Sequence, residues 1–275
     1  PIDTAYAYDL YDQLEDNSQN NPYLISSEID LADLYSEVLA GDSKSGIYFR
    51  LTNNITLDSS FNPIGNLSNQ FRGIFNGDNY SITVNIDRPT TYNGVFGAVG
   101  LGGAVVNLRV WGSVKGGNNT GSIAGYNLGT IDNCINNANI FAKTAQAESL
   151  GGIVGLNYGT VTDCINRGTI QGNRYVGGIV GKNMTTGNSA STVNGIINLG
   201  NITSILGNTS SVVGGFVGQN DGIVKNGYNY SQISNTGDNQ IGSLIGYFSA
   251  TANLSGSKNC YNNTRKSALR EIGYN

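Results

Sequence analysis

Apolar residues in this chain recur in short alternating runs of four to six, rich in Val and Ile and closed by Gly or Asn. In GGIVGLNYGTVTDCINRGTI, residues 151–170, three such runs follow one another: GGIVG, GTVTDCIN and GTI. β-Branched alternation between glycines predicts strands and turns rather than helices. Three short strands with three corners predict one coil of a parallel β-helix. The pattern returns as GSIAGYNLGTIDNCINNANI at 121–140, as GGIVGKN at 177–183 resumed by IINLGNI at 196–202, and as GGFVGQNDGIVKNGYNYSQI at 214–233. A worn last copy runs GSLIGYF at 242–248 and ends at NCYN, 259–262. Ile123, Ile153, Ile179, Phe216 and Leu244 then mark one register position, spaced 30, 26, 37 and 28 residues apart. Repeats of roughly 20–50 residues predict a solenoid, because one unit cannot bury its apolar face alone.

Upstream, alternation at Tyr48, Leu51, Ile55 and Leu57, and again at Tyr80, Ile82, Val84 and Ile86, predicts further coils from Ile47 onward, with an irregular one over 105–114. Ser27 is placed to cap a helix with Asp30 three residues on; Leu31, Leu34, Tyr35 and Val38 share one face, and Gly41 supplies the stop. A helix just before the first coil reads as the lid on an otherwise open edge. The expected organisation is an acidic arm or linker at 1–25, a capping helix at 26–43, a right-handed parallel β-helix of about eight coils at 44–262, and a basic cap or linker at 263–275. At ~4.8 Å per rung the stack would be roughly 40 Å long. The longer units, at 141–149, 182–195 and 206–212, predict loops protruding from corners.

The repeat resembles the GLUG motif of large secreted and surface-exposed bacterial proteins, adhesins among them, which also stands beside the protease domains of immunoglobulin A-specific metallopeptidases. The likeness is clear over 121–233, weaker over 71–114 and absent before Ser26. It implies a β-solenoid scaffold and a secreted or cell-surface location. It carries over no metalloprotease residues, because the chain has no histidine.

Composition adds an asymmetry that the net charge of −4 hides. Residues 1–43 hold ten Asp/Glu and no Lys or Arg, leaving nine acids against fifteen bases in the remainder. The arm, with Tyr6, Tyr8 and Tyr11, is expected to be a solvated linker, with docking on its own body or addition to a partner's sheet as sharper alternatives. Scattered single bases argue against nucleic-acid binding. No apolar run approaches the roughly 18–20 residues that span a bilayer, so no membrane insertion of this segment is expected. A chain opening on Pro1 fits a processed or excised segment.

Two asparagine rows fall in register: Asn127, Asn157, Asn183 and Asn220, and Asn136, Asn166, Asn198, Asn229 and Asn262. They are expected to be structural ladders, since asparagine tolerates left-handed backbone and its amide can bond copies above and below. Gly125, Gly155, Gly181, Gly218 and Gly246 mark places where a side chain would crowd a corner. Cys134 and Cys164 share a repeat position, with Cys260 as a later counterpart. Stacked equivalents point the same way and lie too far apart for a disulfide, so free buried thiols are expected.

Without histidine, Ser/His/Asp and Cys/His catalysis and the usual zinc sites are excluded; no metal and no cofactor are expected. Polysaccharide-active β-helices need clustered acids. The coils offer Asp58, Asp78, Asp87, Asp132, Glu148, Asp163, Asp221 and Asp238 singly, and Asp132 and Asp163 fall one place out of register. GGIVGKN lacks the first glycine and the final Ser/Thr of a phosphate loop and reads as a strand. The expected function is a non-enzymatic, adhesin-like recognition module that binds a glycan or a host or cell-surface protein through exposed sheet faces and inserted loops. Tyr126, Tyr158, Arg174 and Lys182, at or beside corners, are its candidate contacts. The alternatives are a self-associating filament or phage-fibre subunit and a polysaccharide-active enzyme.

Overall fold

Apolar side chains one rung apart can bury one another only if successive strands run parallel and in register. Along one side Phe49, Phe75, Val105, Ile131, Val161, Val193 and Val224 form one continuous column of paired residues, all buried. The computed structural model describes residues 17–187, 189–205, 211–235, 240–249, 256–262 and 272–274. Residues 1–16 of the arm, 206–210 of the third loop, Asp238 and the basic residues at 263–270 lie outside them. Over the described residues the fold is an all-β parallel β-helix of about eight turns with one helix.

Three sheets make up the stack. A typical coil lays three short segments on the long face, such as Thr130–Asp132, Ile135–Asn136 and Asn139–Ala142. It continues through a short face, Glu148–Gly151, and a glycine-rich face, Val154–Asn157. Among the described residues these sheets contain 18, 4 and 7 strands respectively. The five register marks form the expected column. Ile123 N–H donates to Ile153 O, Ile153 to Ile179 O, Ile179 to Phe216 O and Phe216 to Leu244 O, at 2.7–3.1 Å.

The helix runs Glu28–Leu39, capped reciprocally by Ser27 and Asp30, with Leu31, Leu34 and Val38 buried. It lies over the next coil: Glu28 accepts from Asp58 N–H and Leu39 O accepts from the Asn69 amide, both at 2.7 Å. The expected boundary at residue 25 moves, because Tyr23–Ile25 is itself a rung, pairing with Phe49, Arg50 and Leu51. The Tyr23 ring stacks on Phe49 at 5.5 Å, so an aromatic contact, invisible in the polar run before it, starts the stack ahead of the helix. At the other end Ile272–Tyr274 adds a strand beside Ile245 and Tyr247, so the last segment extends the glycine-rich face.

Both asparagine rows are ladders. Asn127 donates to Asn157, Asn157 to Asn183 and Asn183 to Asn220, at 2.7–2.8 Å. Asn136 to Asn166, Asn198, Asn229 and Asn262 repeat the pattern at 2.7–3.2 Å. One expectation about them is corrected: the ladder residues do not use left-handed backbone. That conformation belongs instead to an outer corner column, Asn107, Asn133, Asp163, Asn226 and Asn259, with φ between 50° and 56°.

The repeat glycines are corrected too, since they stand within strands and the crowding comes from the short face of the preceding coil. A Cβ on Gly155 would lie 2.4 Å from the Asn119 carbonyl carbon, one on Gly181 2.4 Å from that of Ser149, and one on Gly218 2.5 Å from that of Tyr175. Tyr92, Asn119, Ser149 and Tyr175 hold left-handed backbone there, which brings their main chain up against the glycines.

All three cysteines are free; Cys134 and Cys164 are buried and Cys260 is partly so. Burial pushes the Cys164 thiol well up, with Cys134 beside it adding to the shift, and thiolate is the reactive form. In the native protein at pH 8, a thiol-titrating disulfide reagent is therefore expected to label at most Cys260, with Cys134 and Cys164 reacting only on unfolding. Rapid labelling of all three would contradict the packed interior.

Candidate functional site

The four candidate contacts fall into two groups near the glycine-rich face. Tyr126 lies between Tyr92 and Tyr158, with ring centroids 6.0 and 5.7 Å away. Burial raises the Tyr126 phenol above its usual range. Arg174 and Lys182 converge on residues not among those candidates. Glu148 accepts from Arg174 at 2.9 Å and from Lys182 at 3.5 Å. The Tyr175 ring is approached by Arg174 at 4.6 Å and by Lys182 at 3.9 Å. Burial lowers the Lys182 ammonium below the ordinary lysine value, with Glu148 opposing. Both cations therefore spend their charge on one carboxylate and one ring, tying successive coils together.

The long face presents an outward surface that contains none of the four candidate contacts. Arg109, Ile135, Ile165, Ile197, Tyr228 and Tyr261 stand one above another, in positions alternating with the buried Asn ladder and therefore pointing outward. Tyr228 and Tyr261 are stacked at 5.3 Å, 20° from parallel. Beside them stand Tyr230 and, one rung below it, Leu199. Tyr228, Tyr230, Tyr261 and Leu199 are 49%, 48%, 54% and 44% exposed. A half-exposed aromatic ring leaves on the order of 100 Å² in water, so the patch approaches the few hundred Å² at which an apolar patch usually has a function. Among the described residues of the last three rungs of this face, the charged side chains are Lys225 and Lys258, paired in register. The signal was present in the sequence as the outward residue of CIN, CIN, IIN, GYN and CYN.

The long face also carries a groove of about 420 Å³, lined by Asn85, Asp87, Ser113, Lys115, Phe141, Ala142, Gln171 and Ile205 among others. Asp87, Lys115, Phe141 and Gln171 are successive rungs of one outward column.

The isolated acids stay apart. Asp132 pairs with Thr162, which donates to it at 2.5 Å, and Asp163 aligns with the corner column instead. Among the described residues no cluster of three or more His, Cys, Asp or Glu could hold a metal ion, and no helix is long and apolar enough to cross a membrane.

Three comparisons bear on this geometry. The GLUG motif matches residues 146–171. A protein of Evansella cellulosilytica described as a "Putative Gly-rich membrane protein" is 32% identical over 131 residues, 43% of this chain; the match spans 15% of that protein's length. The crystal structure of "a putative immunoglobulin A1 protease" from Bacteroides ovatus superposes with a TM-score of 0.52 at 21% identity, covering 79% of each chain. The chain thus carries the GLUG motif, on a fold that it shares with the Bacteroides ovatus structure. The expectation of a non-enzymatic chain is corrected by the last of them, since the same architecture occurs in a protein described as a protease. At 21% identity that likeness extends to the fold and transfers no residue roles.

Proposed function

We propose that this chain is a cell-surface recognition module that holds a protein partner against its long face. The observation carrying this reading is the outward patch of Tyr228, Tyr230, Tyr261 and Leu199, half exposed and built in register on a rigid stack. Tyrosines are favoured where a partner is bound, because a rigid ring buries much area for little entropy and keeps a polar tip. Lys225 and Lys258 beside the rings favour a partner with carboxylates at its rim. A surface location is supported by the Gly-rich membrane protein to which part of the chain is similar, and by the GLUG motif itself.

The test is binding of the fluorescently labelled chain to intact cells by flow cytometry. A Tyr228→Ser/Tyr261→Ser variant is expected to bind at least about tenfold more weakly, as loss of a central aromatic anchor entails. Protease treatment of the cells should abolish binding. Unchanged binding by the double variant would remove the patch from the proposal, and binding that survives proteolysis would remove the protein partner.

A further inference from the structure

The groove on the long face mixes apolar and polar lining. Phe141, Ala142 and Ile205 supply the apolar part; Asn85 and Ser113, paired two residues before Asp87 and Lys115, and Gln171, one rung beyond Phe141 in the same column, supply the polar part. Its charges do not cancel. Lys143 engages Asp87 at 2.6 Å, and that bond is the main cause holding the Asp87 carboxyl below its usual range, with Lys115 adding to it. Asp87 is thus matched by Lys143, and Lys115, exposed on the next rung, is left as the surplus cation. Side chains of successive rungs stand about 4.8 Å apart along the stack, close to the length of one pyranose ring in an extended chain. At about 420 Å³ the groove falls in the range of small-ligand sites.

We infer that this groove binds a short stretch of an acidic glycan lying along the stack. A sugar ring rests its C–H face on Phe141, its hydroxyls meet Ser113, Asn85 and Gln171, and a carboxylate on the next sugar pairs with Lys115. Apolar ring faces bordered by equatorial hydroxyls are what an aromatic ring flanked by amides and a hydroxyl complements. The surplus lysine selects for the acid. This site is separate from the tyrosine patch, so either can fail without the other.

Isothermal titration calorimetry of the folded chain against a uronic-acid trisaccharide, its carboxyl-reduced neutral counterpart and a tetraglutamate peptide tests the inference. The acidic trisaccharide should bind, and more tightly than the other two. Lys115→Ala should bring its affinity down about tenfold or more, to that of the neutral sugar, as loss of one charge-assisted bond implies. Phe141→Ala should weaken both sugars about tenfold. Tyr228→Ser/Tyr261→Ser should leave sugar binding unchanged. Because Lys115 is exposed, its variant reports on the site even if Phe141→Ala perturbs the sheet. The inference is overturned if the acidic trisaccharide gives no heat of binding, if the peptide binds as well as the sugar, or if Lys115→Ala leaves the preference for the acid intact.

Discussion

Asn166→Ala is expected to lower the free energy of unfolding by about 3–5 kcal/mol, a large share of the stability of an ordinary domain. The side chain is fully buried and makes four hydrogen bonds to three neighbours. Its oxygen accepts from Asn136 Nδ2 at 2.7 Å and from Gly168 N–H at 3.2 Å. Its nitrogen donates to Gly168 O at 3.0 Å and to Asn198 Oδ1 at 2.8 Å. Alanine leaves these groups short of a partner where water does not reach, and each orphaned buried polar group costs about 1–3 kcal/mol. Asn139→Ala is the matched control. Asn139 also bridges rungs, accepting from the Thr169 N–H and hydroxyl at 3.0 and 2.7 Å, but it is exposed, so water replaces what is lost and the cost should stay below about 1 kcal/mol. Denaturant unfolding followed by circular dichroism compares the two. Equal losses would show that the inner ladder is no more than a decoration of the sheet.

The contrast between Asn166 and Asn139 also shows what could be read from the sequence. The inner rows were legible because one residue type recurs at one register position, and only a stacked architecture makes such recurrence useful. The column of Ile123, Ile153, Ile179, Phe216 and Leu244 was legible for the same reason. Tyr23–Ile25 was not, since a single rung before the helix has no repeat to announce it. The left-handed backbone that packs against the repeat glycines was also hidden: Ser149 and Tyr175 adopt φ of 63° and 52°, and neither residue type advertises that conformation as glycine would. Sheet faces and inserted loops were both expected binding surfaces, but the sequence singles out individual residues only beside corners, among them Arg174 and Lys182, whose charges Glu148 already occupies. The outward column ending in Tyr228 and Tyr261 lies within strands. Its alternation with buried asparagines was visible, but which of the two alternating sets faced water depended on the ladder being internal.

Gly155→Ala is expected to cost about 3 kcal/mol, because the new methyl group would meet main chain rather than a side chain that could rotate away. The ideal Cβ falls 2.4 Å from both the Asn119 carbonyl carbon and the Thr120 nitrogen, about 1 Å inside ordinary contact. Neither segment can yield locally: Asn119 and Thr120 donate to Glu148 and Ser149 of the next coil at 2.8 and 3.1 Å. Gly102→Ala separates this crowding from backbone strain. Gly102 has φ of +84° and nothing within 4 Å of its Cβ position, so alanine there should cost only the left-handed penalty of about 1–2 kcal/mol. The two variants should also unfold differently. In a stack each coil is held by its neighbours alone, so weakening one interface uncouples the coils on either side. Trp111, the single tryptophan, lies on the N-terminal side of Gly155. In Gly155→Ala its fluorescence should therefore lose its coincidence with the far-ultraviolet signal of the whole stack, whereas Gly102→Ala should keep the two transitions superimposed. Coincident transitions and similar stability losses in both variants would mean that the short and glycine-rich faces are not packed main chain against main chain.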